Sequence, residues 1–301
     1  MNFRTVADLA RSVSTNLCLI PRTVDLIVGV PRSGLIPASL LSLHLNVPMT
    51  DVEGLAAGRL LGCGERRQWG AGDADYLSTP RHALVIDDSI LSGNQMTRVR
   101  ERLAAAGLPH RLTYAAVYAT PEAVQRGLVD IHFEIVPLPR VWEWNVMHHV
   151  VLSTACVDID GLLCADPTEE ENDDGPAYER FLATARPLFP CSRPIATLVS
   201  ARLEKYRPHT ERWLAAHGIR YGELVLLDLP DGATRKRLGV HASFKADVYK
   251  ARPHTLFIES NPRQAADIAR LAGKPVLCLP TREMFHPPAP LPPAPPPGWQ
   301  G

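Results

Sequence analysis

Two acidic motifs carry most of the chemistry that can be read from this chain. In ALVIDDSILSGNQM, Ala83–Met96, an apolar run meets adjacent carboxylates, Asp87 and Asp88, before a short polar loop and a helical pattern. Carboxylates accept hydroxyl protons strongly, so such a pair suits the vicinal hydroxyls of a ribose ring. Backbone N–H groups in the loop and at the helix start suit a dianionic phosphate. In CVDIDGLLC, Cys156–Cys164, a second apolar run delivers Asp158, then Asp160 two residues on, with Gly161 allowing the chain to turn. Side chains alternate along extended chain, so both acids return to one side. One carboxylate can attack phosphorus while the other protonates the leaving oxygen and later activates water.

Each motif has partners at a compatible distance along the chain. DLIVGVPRSGLIPA, Asp25–Ala38, reads as strand, tight turn and helix start, with Arg32, Ser33 and Gly34 in the turn. The planar fork of an arginine bonds phosphate oxygens in pairs. After Asp158 come Ser200 at the end of an apolar run, Lys245 in HASFKADVYK, and Glu259 with Asn261 in FIESNPRQAADIA. A hydroxyl can anchor a phosphoryl group, an ammonium can neutralise it, and oxygen ligands suit Mg²⁺. Lys250 is an alternative ammonium, and Asp247 or Asp267 could supplement the oxygen ligands. Between the motifs lies PRVWEWNVMHH, Pro139–His149, where Trp142 or Trp144 could stack on a flat base and Glu143 or Asn145 read its edge. Packing of the two domains together by the same tryptophans is the alternative. His148 and His149 have no further ligand at a useful spacing for a metal.

Apolar runs of strand length alternate with helical patterns, which implies an α/β protein with largely parallel sheets. The first half offers strands at Asp25–Val30, Ala83–Asp87, Leu112–Val117 and Ile131–Val136, with helices at Ser33–Asn46 and Gly93–Gly107. The second offers strands at Ser153–Asp158, Ile195–Ser200, Glu223–Leu227, Thr255–Glu259 and Pro275–Cys278, with helices at Lys205–His217 and Pro262–Ala272. We expect two Rossmann-like domains, residues 1–150 and 151–285, and a Pro-rich, disordered tail over 286–301. The Gly-rich, charged stretch Leu55–Tyr76 reads as a long loop that could act as a lid, with Arg59, Arg66 and Arg67 available to a leaving anion.

Lys plus Arg equals Asp plus Glu at 32 each, which argues against a strongly basic nucleic-acid binder. With 46% hydrophobic and 21% charged residues the composition is that of a soluble globular protein. Six scattered cysteines without a CxxC pair fit a reducing compartment. The amphipathic N-terminus lacks a signal-peptide core and no run is long enough to span a bilayer, so a cytoplasmic location without a membrane partner is expected. A homodimer stays open.

The first half resembles the type I phosphoribosyltransferases, whose loop for 5-phosphoribosyl-1-pyrophosphate (PRPP) follows a strand and begins with adjacent acids. The resemblance implies that Asp87 and Asp88 meet the ribose hydroxyls, and that Ser89, Ser92, Gly93, Asn94 and Gln95 surround the 5-phosphate. It puts Arg32, Ser33 and Gly34 at the pyrophosphate, normally bound with Mg²⁺. Leu91 and Gln95 stand where that family usually has threonine. The second half resembles the phosphatases of the haloacid dehalogenase (HAD) superfamily. By that resemblance Asp158 is the nucleophile, Asp160 the acid/base, Ser200 the phosphate anchor and Lys245 the charge partner. Asp158, Asp160, Glu259 and Asn261 would form the Mg²⁺ site, although many members carry an acid where Asn261 stands. About forty residues separate the first two phosphatase motifs, too few for a large cap. Together the resemblances imply a bifunctional enzyme of nucleotide metabolism that transfers phosphoribosyl from PRPP to a nucleobase-like acceptor and removes the 5-phosphate. Two other readings are a PRPP- or nucleotide-sensing domain that regulates the phosphatase, and a phosphatase that processes nucleic-acid ends.

Overall fold

Alternating apolar runs do fold into two parallel-stranded α/β units, Asn2–Arg140 and Val141 onward with Met1. The computed structural model describes residues 1–61 and 73–288, with backbone alone for 73–75. Arg66, Arg67 and most of the Pro-rich tail lie outside the described residues.

The first unit begins with β1 (Asn2–Arg4) and α1 (Val6–Thr15). Thr5 caps α1 through a reciprocal pair of hydrogen bonds with Asp8, which satisfies two backbone donors at the helix start. Then follow β2 (Leu26–Gly29), α2 (Leu35–Leu45), β3 (Met49–Asp51), α3 (Val52–Ala56), α4 (Asp73–Ser78), β4 (His82–Ile90), α5 (Asn94–Ala105), β5 (Arg111–Ala119), α6 (Pro121–Gln125) and β6 (Ile131–Ile135). Five of these strands form a sheet in the order β3-β2-β4-β5-β6, every neighbouring pair parallel. The apolar residues of β2 and β4 are buried on both faces, as expected of a parallel sheet covered by helices. Chain order reverses between β2 and β4, and the crevice beyond that switch point is where such sheets bind ligands.

β7 (Arg140–Trp142) carries the chain across the division. The second unit contains β8 (Ala155–Val157), α7 (Pro176–Thr184), β9 (Ile195–Leu203), α8 (Arg207–Ala216), β10 (Tyr221–Leu227), α9 (Gly232–Leu238), α10 (His241–Lys250), β11 (Leu256–Glu259), α11 (Pro262–Ala272), β12 (Val276–Cys278) and β13 (Glu283–Phe285). Its sheet runs β10-β9-β8-β11-β12-β13, parallel except for the edge pair β12–β13. Here order reverses at β8, between β9 and β11. α11 buries Ala265, Ile268, Ala269 and Ala272, the one-face spacing of an amphipathic helix. It starts with Pro262 and stops at Gly273, whose φ of 68° suits a residue without a Cβ.

Some elements differ from the sequence expectation. The strand expected at Ser153–Asp158 shortens to β8, because Val150–Thr154 coils into a 3₁₀ turn. β4 continues past the acids to Ile90, pairing Ser89 with Tyr118 and Ile90 with Ala119 of β5. Its pairing with β2 ends at Ile86, so Asp87 and Asp88 lie where one neighbour has already turned away. Leu55–Tyr76 is not loop throughout, since α3 and α4 occupy its two ends. α7 and α9 were not anticipated: each grows from a polar, charged stretch whose periodicity is short.

Candidate functional site

In the first unit, two short loops meet at the switch point. β2 leads into the turn of Arg32, Ser33 and Gly34, and α2 begins directly after it. A Cβ on Gly34 would lie 2.5 Å from Val30 O, 2.8 Å from Ile86 O and 2.9 Å from Asp87 Oδ1. Only glycine lets this turn press so closely on the acid-bearing strand. Arg32 is exposed and Ser33 half-buried, so both can reach a ligand. Asp87 and Asp88 are buried, and Asp87 Oδ1 accepts the Asp88 amide at 2.9 Å. Burial first, then the adjacent charge of Asp88, pushes the Asp87 carboxyl up to about 8. The loop itself is only Leu91–Gly93 before α5 begins. Gly93 has φ 84°, and a Cβ there would also strike Leu128 at 2.9 Å. Ser89 is half-buried, whereas Ser92, Asn94 and Gln95 are exposed around the turn, where Ser92 Oγ accepts the Asn94 amide at 3.4 Å. Leu91 is half exposed.

Arg59 is exposed, and its backbone carbonyl accepts the Thr50 hydroxyl at 2.6 Å. Trp142 and Trp144 belong to the second compact unit. Their rings stack on one another, 5.6 Å between centroids and 8° apart.

In the second unit, residues from three strand ends and a helix converge. Asp158 follows β8, and its amide donates to Ile258 O at 3.0 Å, which fixes it beside β11. Lys245, buried on α10, donates to Asp158 Oδ2 at 2.7 Å, Glu259 Oε2 at 2.9 Å and Gln264 Oε1 at 3.1 Å. Lys250 and Asp247 are exposed on the same helix, so of the two lysines it is Lys245 that meets the acids. Asp267 pairs with Arg270 on the exposed face of α11. Ser200 Oγ donates to Asp160 Oδ2 at 3.2 Å. Asp160 is also gripped by Arg202, a residue the sequence reading missed. Arg202 Nε lies 3.1 and 3.0 Å from the two carboxylate oxygens, and Nη2 lies 2.6 Å from Oδ1.

The charge states follow from these contacts. Burial and the neighbouring Glu259 push Asp158 well up, against the pull of Lys245. Burial also works to raise Asp160, but Arg202 outweighs it and holds that carboxyl below its ordinary value. Burial opposes charge on Lys245, and the two carboxylates more than restore it. Asp166, also missed, is raised by burial and by Asp160. A Cβ on Gly161 would lie 2.7 Å from Asp166 Oδ2, and the φ of 70° there is a second reason for glycine. A cavity of about 220 Å³ opens on Asp158, Asp160, Asp166, Ser200, Lys245 and Arg235.

The set Asp158, Asp160, Glu259 and Asn261 does not fit a divalent cation as it is arranged. The Lys245 ammonium already bridges Asp158 and Glu259. The other Glu259 oxygen accepts the amides of Ser260 and Asn261 at 3.0 and 3.1 Å. Asn261 Oδ1 caps α11, accepting from Arg263 N at 2.9 Å and Gln264 N at 3.2 Å. Among the described residues no group of three or more His, Cys, Asp or Glu could hold a metal ion. Nor, among them, is any helix long and apolar enough to cross a membrane.

No family model matches the chain, and no curated protein matches it. Solved structures are similar to it over about half its length. The Helicobacter pylori xanthine-guanine-hypoxanthine phosphoribosyltransferase is 16% identical over 48% of this chain and 92% of its own, with a TM-score of 0.33. A purine phosphoribosyltransferase from Pyrococcus horikoshii Ot3 is 20% identical over 48% and 92%, with a TM-score of 0.34. A hypoxanthine-guanine phosphoribosyltransferase from Bacillus anthracis is 16% identical over 44% and 81%, with a TM-score of 0.31. The functional reading therefore rests on the geometry of the two sites.

Proposed function

We propose that the chain is a bifunctional enzyme: the first unit transfers phosphoribosyl from PRPP to a nucleobase-like acceptor, and the second removes the 5-phosphate. The observation that carries this reading is that each acidic motif lies at the switch point of its own parallel sheet, with phosphate-binding groups beside it. In the first unit Asp87 and Asp88 receive the ribose hydroxyls and the Ser89–Gln95 loop receives the 5-phosphate. Arg32, Ser33 and Gly34 receive the pyrophosphate, which the substrate brings as its Mg²⁺ complex. The bond from ribose C1 to the pyrophosphate oxygen breaks, and pyrophosphate leaves with the electron pair. A ring nitrogen of the acceptor bonds to C1 and gives up its proton to water. Positioning and charge stabilisation at the leaving group supply the acceleration.

In the second unit an Asp158 oxygen attacks phosphorus, the ester P–O bond breaks, and the leaving oxygen takes a proton. Water then attacks the aspartyl phosphate, loses a proton and releases inorganic phosphate. Lys245 and Ser200 hold the phosphoryl oxygens. Asp160, kept ionised by Arg202, takes the proton of the attacking water in the second step, and in the first the leaving oxygen takes its proton from the monoanionic phosphoryl group itself. A mixture of PRPP, Mg²⁺ and a panel of bases tests both halves: pyrophosphate should appear first and inorganic phosphate second. Phosphate release without any PRPP-dependent pyrophosphate would remove the transferase half.

A second reading, in which the first unit senses PRPP or a nucleotide and regulates the phosphatase, is favoured by one observation. Leu91 and Gln95 present no hydroxyl to the 5-phosphate, and both are exposed. It predicts phosphatase activity that responds to PRPP without pyrophosphate release.

A further inference from the structure

The cavity above Asp158 does not end at the phosphoryl site. Asn172, Arg235 and His241 line it, and the same three residues line a second, larger cavity of about 500 Å³ that also borders Lys236. Arg235 is the hinge between the two spaces. Among the described residues its hydrogen-bond partners are neutral: Ala201 O at 3.0 Å, Asn172 Oδ1 at 3.1 Å and the Tyr178 hydroxyl. That sets it apart from Lys245 and Arg202, the other two cations of the site, whose charges are met by Asp158, Glu259 and Asp160. Lys236 follows Arg235 on α9 and is exposed.

Two acids border the second cavity. Asp174 is already satisfied, accepting from Lys205 Nζ at 3.0 Å, Tyr206 Oη at 2.9 Å and Gly232 N at 2.8 Å. Glu169 is exposed, where solvent weakens its field. His241 is pushed down by burial and then by Arg235 and Lys245, so it is neutral at neutral pH and offers a donor without charge. The balance leaves a guanidinium and an ammonium facing a roomy, polar space directly beyond the phosphoryl site. A guanidinium with neutral partners is suited to receive an oxyanion.

We propose that the phosphoryl site continues into a second anion subsite, built on Arg235 and Lys236 with Asn172, which takes a second phosphate carried by the same substrate. The inference rests on the phosphatase reading of the second unit. Beside the nucleoside 5′-monophosphate, it names a preferred class of substrate, phosphomonoesters that bear another phosphate. That second phosphate could belong to a small bisphosphate or to the next linkage of a nucleic-acid strand.

The test measures phosphate release by the full chain from a nucleoside 5′-monophosphate, the matching nucleoside 3′,5′-bisphosphate and a short 5′-phosphorylated oligonucleotide. The bisphosphate should show a KM about tenfold below that of the monophosphate at similar kcat, the size of effect expected for one charge-assisted contact. In the double variant Arg235→Gln, Lys236→Gln the ratio of the two KM values should fall to near one. Raising ionic strength should shrink it in the unaltered chain. A lower KM for the oligonucleotide than for the bisphosphate identifies a strand as the source of the second phosphate, and the reverse identifies a small molecule. Equal KM values in the unaltered chain, or a ratio that survives the double substitution, overturns the subsite. If no phosphate is released even from p-nitrophenyl phosphate, it is the phosphatase reading that fails. Calorimetry of the monophosphate and the bisphosphate then decides the subsite, with equal affinities overturning it.

Discussion

The two acidic sites solve the problem of buried carboxylates in opposite ways. In the first unit Asp87 has another carboxylate as its nearest charged neighbour, and burial raises it until it holds a proton at neutral pH. In the second unit each acid meets a buried cation: Asp158 and Glu259 share Lys245, and Asp160 is forked by Arg202. The first arrangement stores a proton, which suits a site whose charge changes when its ligand arrives. In the second, Lys245 aims Asp158 before any ligand arrives, although burial and Glu259 still raise that carboxyl. Buried charges survive either by neutralising themselves or by pairing, and this chain uses both.

The sharpest break between the sites comes from Asp158→Asn. It should reduce phosphate release at least about 10³-fold while leaving PRPP-dependent pyrophosphate release intact. Comparable loss of both activities would show that the two units do not act separately. Next in size is Lys245→Met, which strands Asp158 and Glu259 without their cation. Stability should fall by about 3–5 kcal/mol, read from the denaturant midpoint of the second unit. A change below about 1 kcal/mol would mean that the lysine is not the partner of those acids.

Gly34→Ala tests the first site's construction, since the added methyl meets two backbone carbonyls and Asp87 at under 3 Å. A loss of about 1–3 kcal/mol, with weaker PRPP binding, is expected. Normal PRPP affinity in that variant would separate the turn from the acids. A pH dependence tests the same acid from another side. The folded Asp87 carboxyl titrates at about 8, whereas in the unfolded chain it titrates near 4. Between those values the folded state binds the extra proton, so this group's contribution to stability is complete below about pH 4 and is lost as pH rises towards 8. Asp87→Asn should flatten that decline in unfolding measurements across pH. An unchanged slope would locate the raised carboxyl elsewhere.

The parts that were legible in the sequence are those governed by local pattern. Apolar runs placed most strands, and glycines at 34, 93 and 161 marked turns that the structure shows to have no room for a Cβ. The acids were visible because their spacing along a strand is itself the signal. Their partners were not. Arg202 sits two residues beyond Ser200 in a strand that was expected to stop there, and only the continuation of β9 to Leu203 turns it onto Asp160. Asn261 reads as a ligand from its place after Glu259, yet its position before Pro262 makes it a helix cap. Lys245 and Lys250 share one helix, and burial, which depends on the whole fold, separates them. The tryptophans of Pro139–His149 read either as a stacking surface for a base or as packing between the domains, and their mutual stacking could not be read from the sequence.

The most direct measurement of the central claim follows one ribose through both sites by mass spectrometry. PRPP, Mg²⁺ and an accepted base are incubated with the unaltered chain and with Asp158→Asn. The account predicts free nucleoside from the unaltered chain and accumulation of the nucleoside 5′-monophosphate in the variant. Failure of every base to yield either product, while phosphate is still released from added monophosphates, would contradict it.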